Sequence, residues 1–179
     1  LVTTVDEVGD GSIPNDDYES EFNDTVFPGE EVPYTYWGEL KITKVDDSAT
    51  PLNLAGAEFQ VFLPNDGGTC EAEAPATGPL ATGTSNASGV VQWVLAPATA
   101  DDPAVTAGVL GLWIANSDSP LTDPSKDYCV YETVVPSGHS GDKEGKLVTI
   151  TPGGPVANAS DITVVNPKTK GPDLPLTGA

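Results

Sequence analysis

Arginine and methionine are absent from this chain of 179 residues, histidine occurs once, cysteine twice, and lysine supplies all 7 basic residues against 27 Asp and Glu. Each scarcity removes a class of function. A formal charge of −20, with no lysine cluster to overcome it locally, repels phosphate backbones and anionic headgroups, so neither nucleic acid nor a membrane surface is expected as a partner. The single histidine, His139, stands beside Ser140 in a Gly-rich loop; it offers no hydrolytic triad and reads as a solvated loop residue. Cys70 and Cys129 lie far apart with no CxxC or histidine spacing, which disfavours zinc and favours a disulfide. Closing a loop of about 60 residues is worth roughly 4 kcal/mol on the chain-entropy model, outside the reducing cytosol. Residues 6–17 are rich in Asp, Asn and Gly but lack EF-hand spacing. No cofactor and no metal are expected. No apolar run is long enough to span a bilayer, and no signal peptide is visible.

What is present is Val, Thr, Gly and Pro, the composition of short strands joined by turns, so an all-β architecture is expected. Strand patterns fall at 39–46, 57–63, 78–85, 90–95, 110–115, 127–135, 146–151 and 162–166. Turn-forming clusters separate them at 64–68, 86–89, 96–108 and 136–138. Seven or eight short strands fit a sandwich. Residues 1–37 carry ten of the acids and no lysine, and contain too few extended segments to bury a core alone. They read as the C-terminal strands of a preceding domain, residues 38–167 as the sandwich, and 168–179 as a linker. Trp37, Trp93 and Trp113 read as core or boundary packing residues. The sequons at Asn23, Asn86 and Asn158 are short enough to arise by chance.

Alternation along three strands gives one unusual answer. Lys44 shares a face with Leu40 and Ile42, Glu132 with Val130 and Val134, and Asn166 with Ile162 and Val164. An isolated buried ion costs several kcal/mol, so inward-facing Lys, Glu and Asn should be paired or neutral, and grouping them costs least. Two structural accounts are open: a buried Lys–Glu ion pair hydrogen-bonded to an amide, or three strand-end residues in solvent. A chemical account is open too. Burial lowers a lysine pKa and raises a carboxyl pKa, making Lys44 a neutral amine nucleophile and Glu132 a protonated acid on the Asn166 carbonyl. Attack with loss of ammonia would leave an amide cross-link, with Glu132 as proton shuttle.

The segments Gly38-Glu39-Leu40-Lys41-Ile42-Thr43-Lys44-Val45-Asp46, Leu54-Ala55-Gly56-Ala57-Glu58-Phe59, Tyr131-Glu132-Thr133-Val134-Val135-Pro136-Ser137-Gly138 and Val164-Val165-Asn166 together resemble a CnaB-type domain of Gram-positive pilins. The final residues, Leu174-Pro175-Leu176-Thr177-Gly178, resemble the LPxTG signal that sortases cut. The order of the two looks like the C-terminal domain of a SpaA-type pilus shaft subunit. The resemblance implies an immunoglobulin-like (CnaB-type) β-sandwich with a Lys44–Asn166 isopeptide bond promoted by Glu132. It also implies a disulfide, since Cys70 and Cys129 have counterparts in some pilin C-terminal domains. Cys129 has parity opposite to Glu132, so the bridge is expected off the isopeptide face. Two departures stand out: an insertion at 96–126 before the Glu132 strand, and Ser137-Gly138-His139 where Gly-Tyr is common. Asn23 resembles the isopeptide partner of a lysine in a preceding domain, which this chain lacks.

Cleavage after Thr177 by a pilus-specific sortase would pass its carbonyl to a lysine of a neighbouring pilin subunit, or to the cell wall or a basal pilin. The chain is thus expected to be a building block and no enzyme, beyond an autocatalytic reaction within itself, in an extracellular, wall-anchored pilus. A sortase substrate needs a signal peptide and a membrane segment in its precursor, so the chain reads as an excised fragment. The alternatives are a stalk or ligand-binding module of a wall-anchored adhesin, and a secreted hydrolase built on Glu132 and a second carboxylate, in which Lys44 stays a free amine.

Overall fold

Alternating burial along a thirteen-residue strand organises the molecule: in β1 (Tyr34–Asp46), Leu40, Ile42 and Lys44 point inward while Glu39, Lys41 and Thr43 stay on the outer side. The computed structural model describes residues 33–153 and 160–169. The chain divides into two compact units, residues 35–115 with 122–179, and residues 1–34 with 116–121. The first holds the elements described below, apart from Tyr34 and residues 116–117 at two strand ends. Of the second, only residues 33–34 and 116–121 are among those described.

Nine strands and no helix occur among the described residues. After β1 come β2 (Glu58–Phe62), β3 (Ala81–Ser85), β4 (Val91–Ala96), β5 (Val105–Ala107), β6 (Leu110–Ser117), β7 (Lys126–Val134), β8 (Lys146–Ile150) and β9 (Ser160–Asn166). They form a three-stranded sheet in the order β6-β1-β9 and a six-stranded sheet in the order β5-β4-β3-β2-β7-β8. One apolar cluster joins the sheets, with Leu40, Ile42, Leu112, Ile114 and Val164 from the smaller facing Phe59, Val61, Val91, Trp93, Val130 and Ile150 from the larger. The expected all-β sandwich is therefore what forms, and burying each such side chain stabilises it by about 1.5–3 kcal/mol.

The insertion supplies an element that the sequence pattern does not show. Residues 96–108 read as a turn cluster, yet Val105–Ala107 pairs with β4 as a short edge strand; three residues carry too little alternation to register as one. Two further expectations need correction. Of the three tryptophans, read as core or boundary residues, Trp93 is core and Trp113, 36% exposed, is a boundary residue with the Lys126 ammonium 4.0 Å from its ring centroid, whereas Trp37 is 56% exposed. His139 is half-buried instead of solvated, its Nδ1 3.1 Å from the Ser137 carbonyl.

The disulfide forms as expected, joining Cys70 in the loop after β2 to Cys129 of β7. Cys129 packs with Tyr131 and Phe62 in a second small cluster, on the side of β7 away from the main core. Because the loop around Cys70 covers that side, β7 is buried on both faces from Tyr128 to Glu132. Its simple alternation ends there: Val134, expected inward with Glu132, is 43% exposed, since the strand runs out from between the layers.

Candidate functional site

β1 and β9 lie side by side and parallel, with Lys44 opposite Val164 and Asp46 opposite Asn166. Asn166 is therefore the next inward position of β9 beyond the level of Lys44, and a four-carbon side chain spans that step. The Lys44 backbone is held on both groups: its N–H donates to Gly89 O at 2.7 Å and its carbonyl accepts from Leu54 N at 2.9 Å. Gly89 adopts φ +75°, and a Cβ there would meet the Lys44 carbonyl oxygen at 2.5 Å, so this anchor requires glycine. Glu132 arrives from the opposite sheet on β7, in register with Phe59 of β2.

The three side chains meet inside the sandwich. Lys44 is fully buried, Asn166 is 1% exposed and Glu132 4%. Lys44 Nζ donates to Val164 O at 3.0 Å and lies 3.8 Å from Glu132 Oε1. The same Oε1 accepts from Asn166 Nδ2 at 2.8 Å. Glu132 Oε2 and Asn166 Oδ1 are buried without a hydrogen-bond partner. Of the accounts open from sequence, solvated strand ends are excluded.

Burial dominates the electrostatics. It pushes the Lys44 amine down to about 8, against the nearby Glu132 carboxylate, which favours the ammonium. Burial likewise pushes the Glu132 carboxyl up, with Lys44 and the Asn166 amide offsetting only part of the effect. Both shifts favour the neutral pair. A protonated Glu132 would supply the donor that the unpartnered Asn166 oxygen lacks.

Sequence reasoning passed over a second polar group. Asp46 is also fully buried, its carboxylate accepting from Leu52 N at 2.8 Å, from Ser48 N at 3.2 Å, from Ser48 Oγ at 2.8 Å and from Lys168 Nζ at 3.0 Å. The run Val45-Asp46-Asp47-Ser48 carried the signal, an Asp followed by a Ser two positions on at a strand end. This group ties the end of β1 to the residues after β9. Cys70–Cys129 stands apart from the trio, as parity predicted. Leu174, Pro175, Leu176, Thr177 and Gly178, like Asn23, the acidic stretch 6–17 and the sequon at Asn158, lie outside the described residues. Among the described residues no group of three or more His, Cys, Asp and Glu is placed to hold a metal ion.

No family model matches the chain, and no curated protein matches it. Among solved structures, the chain is similar to GBS52, the minor pilin of Streptococcus agalactiae, at 19% identity and a TM-score of 0.47, over 79% of this chain and 48% of that one. It is similar to the Actinomyces fimbrial adhesin FimA at 24% identity and a TM-score of 0.46, over 76% and 45% respectively. BcpA, the major pilin subunit of Bacillus cereus, is similar at 19% identity and a TM-score of 0.36, over 75% and 31%. The chain thus spans less than half the length of each of these pilus and fimbrial proteins.

Proposed function

We propose that this chain is a structural module of a sortase-assembled pilus, stiffened by an amide bond that it forms between its own Lys44 and Asn166. The observation that carries this reading is the burial of a lysine, a glutamate and an asparagine in one contact set, with Glu132 Oε1 2.8 Å from Asn166 Nδ2 and 3.8 Å from Lys44 Nζ. A single oxygen is thereby within reach of both the nucleophile and the leaving group. The neutral Lys44 amine attacks Asn166 Cγ. Protonated Glu132 gives its proton to the Asn166 amide, which leaves through Nδ2, and takes in exchange the proton released from Nζ; the Cγ–Nδ2 bond breaks, and ammonia departs. Atoms balance: a primary amine and a primary amide give a secondary amide and ammonia. The reaction consumes its own side chains and turns over once, so the chain is not an enzyme.

Position gives the bond its use. Tension entering β1 and leaving after β9 passes from Lys44 directly to Asn166, and the residues between them carry none of it. The Leu-Pro-Leu-Thr-Gly signal begins eight positions after Asn166, so a subunit joined by sortase through Thr177 to a neighbour's lysine would pull on the locked strand. The pilus on the cell surface is the setting in which such a load arises.

Intact mass of the purified protein under reducing conditions tests the cross-link. A deficit of one ammonia, restored to full mass by Lys44→Ala or Glu132→Ala, is expected; full mass in the unmodified chain refutes it. Incubation with a pilus sortase and a lysine-bearing pilin tests the second bond. An adduct lost in Thr177→Ala is expected, and an adduct that survives that change refutes attachment at Thr177.

A further inference from the structure

Gly141 lies in the loop between β7 and β8, and a Cβ at that position would meet Val135 Cγ2 at 2.6 Å, Glu132 Oε2 at 2.8 Å and Asn166 Nδ2 at 3.1 Å. Its φ is not positive, so glycine is needed there for space and not for conformation. The bare Cα stands against two of the three groups of the candidate site, beside the Glu132 oxygen that has no hydrogen-bond partner. The loop does not rest there loosely. Ser140 N donates to Pro167 O at 2.9 Å and Thr169 N to Gly138 O at 2.9 Å, with Thr169 Oγ1 reaching the same Gly138 carbonyl at 2.9 Å. Residues 138–140 are thus stitched to 167–169, the three residues that follow Asn166. The loop and the end of the Asn166 strand form one hydrogen-bonded unit.

We propose that Gly141 is a positioning residue for cross-link formation: its side-chain-free backbone closes the site over the Glu132 carboxyl and the Asn166 amide, so that proton transfer takes place without water. The inference rests on the Lys44–Asn166 reading. An added methyl must displace Val135, the carboxyl or the amide. Displacing the carboxyl separates Oε1 from the leaving nitrogen and admits water to Oε2, which favours the carboxylate over the acid. The charged groups facing Glu132 are Lys44 from β1, Lys146 from β8 and Asp142 from the same loop; none of them changes in the variants below.

The test follows ammonia loss by intact mass after chain isolated unfolded from inclusion bodies is diluted from urea into a thiol–disulfide buffer, across a series of pH values. The unmodified chain should show a rate plateau that falls on the acid side as the Glu132 carboxylate of the ion-paired form takes up a proton. Gly141→Ala should lower the plateau on the order of tenfold or more, as expected for a misplaced proton shuttle, and move the acid limb to lower pH. Val135→Ala, which removes the wall of the same closure without adding a clash, should move the limb in the same direction, and it decides the matter if Gly141→Ala does not fold. Gly111→Ala is the control, because a Cβ there meets nothing within 4 Å. Variants that match the unmodified chain in plateau and acid limb would overturn the role of Gly141 while leaving the cross-link intact. An unmodified chain that keeps its full mass would overturn the cross-link and this inference with it.

Discussion

Lys44 is buried at a cost, and the proposed cross-link would explain why a sandwich accepts it. A buried ion pair often stabilises no more than apolar residues of the same volume, whereas the proposed covalent product would remove the charge problem altogether. Asn166→Ala would stop the proposed reaction but leave Lys44 and Glu132 facing each other. Adding Lys44→Met and Glu132→Leu to that variant is expected to leave stability unchanged or raise it by about 1–4 kcal/mol, read from urea unfolding. A loss larger than about 1 kcal/mol would show that the pair itself holds the fold, since that exceeds the usual net value of one hydrogen bond. Asp46 makes the opposite case. The Leu52 N–H first, then Ser48 and Lys168, hold its carboxyl well below the ordinary carboxylate range, outweighing burial. A depressed acid pKa contributes stability that is present above the unfolded value of about 4 and lost as pH falls below it. Asp46→Asn is therefore expected to flatten the decline in melting temperature below about pH 4; an unchanged acid slope would show that other carboxylates govern it.

At the scale of elements, β7 does two separable jobs. Its Cys129 side is pinned to the loop after β2 by the disulfide, by Tyr131 donating through its hydroxyl to Glu71 O at 3.1 Å, and by the edge-on packing of Phe62 against Tyr131 at 5.6 Å between ring centroids. Its other side delivers Glu132 to the trio. Replacing both cysteines by serine should cost about 2–4 kcal/mol, because the bridge spans 59 positions and restrains the unfolded chain. Cross-linking should persist in that variant, and loss of the ammonia deficit would show that the two sides of β7 are coupled. The β7 pattern also shows where alternation stops being informative. Tyr131 and Cys129 are buried as deeply as Val130 because a loop far away in sequence folds over them, and no local period reports such a cover. β1 is the contrary example: with one side on the core and the other outward, the inward place of Lys44 is legible from Leu40 and Ile42 alone.

Across the whole molecule, the parallel β1–β9 pair brings the beginning and end of the sandwich together near residues 44 and 166. Pulled apart by single-molecule force from the start of β1 and the end of β9, with the Cys70–Cys129 bridge reduced so that it holds back no length of its own, the cross-linked chain should withhold the roughly 120 residues between the two, on the order of 40 nm of contour at about 3.4 Å each. Lys44→Ala should release that length, and equal extension in the two proteins would refute the load path. The exposed Lys41–Asp161 pair at 2.9 Å bridges the same strands but, being solvated, contributes little.

By itself the sequence determined the strand pattern, the inward parity of Lys44, Glu132 and Asn166, and the separation of the disulfide face from them, because each of these follows from side chains alternating along an extended backbone. The tertiary structure alone decided that the three belong to one site. Glu132 crosses from the opposing sheet, and only the packing of the two layers sets its oxygen between an amine and an amide. Packing likewise decided the tie between buried Asp46 and exposed Lys168 and the fit of Gly141 over the trio. Both join segments far apart in the chain through close approach, which leaves no periodic mark on either segment.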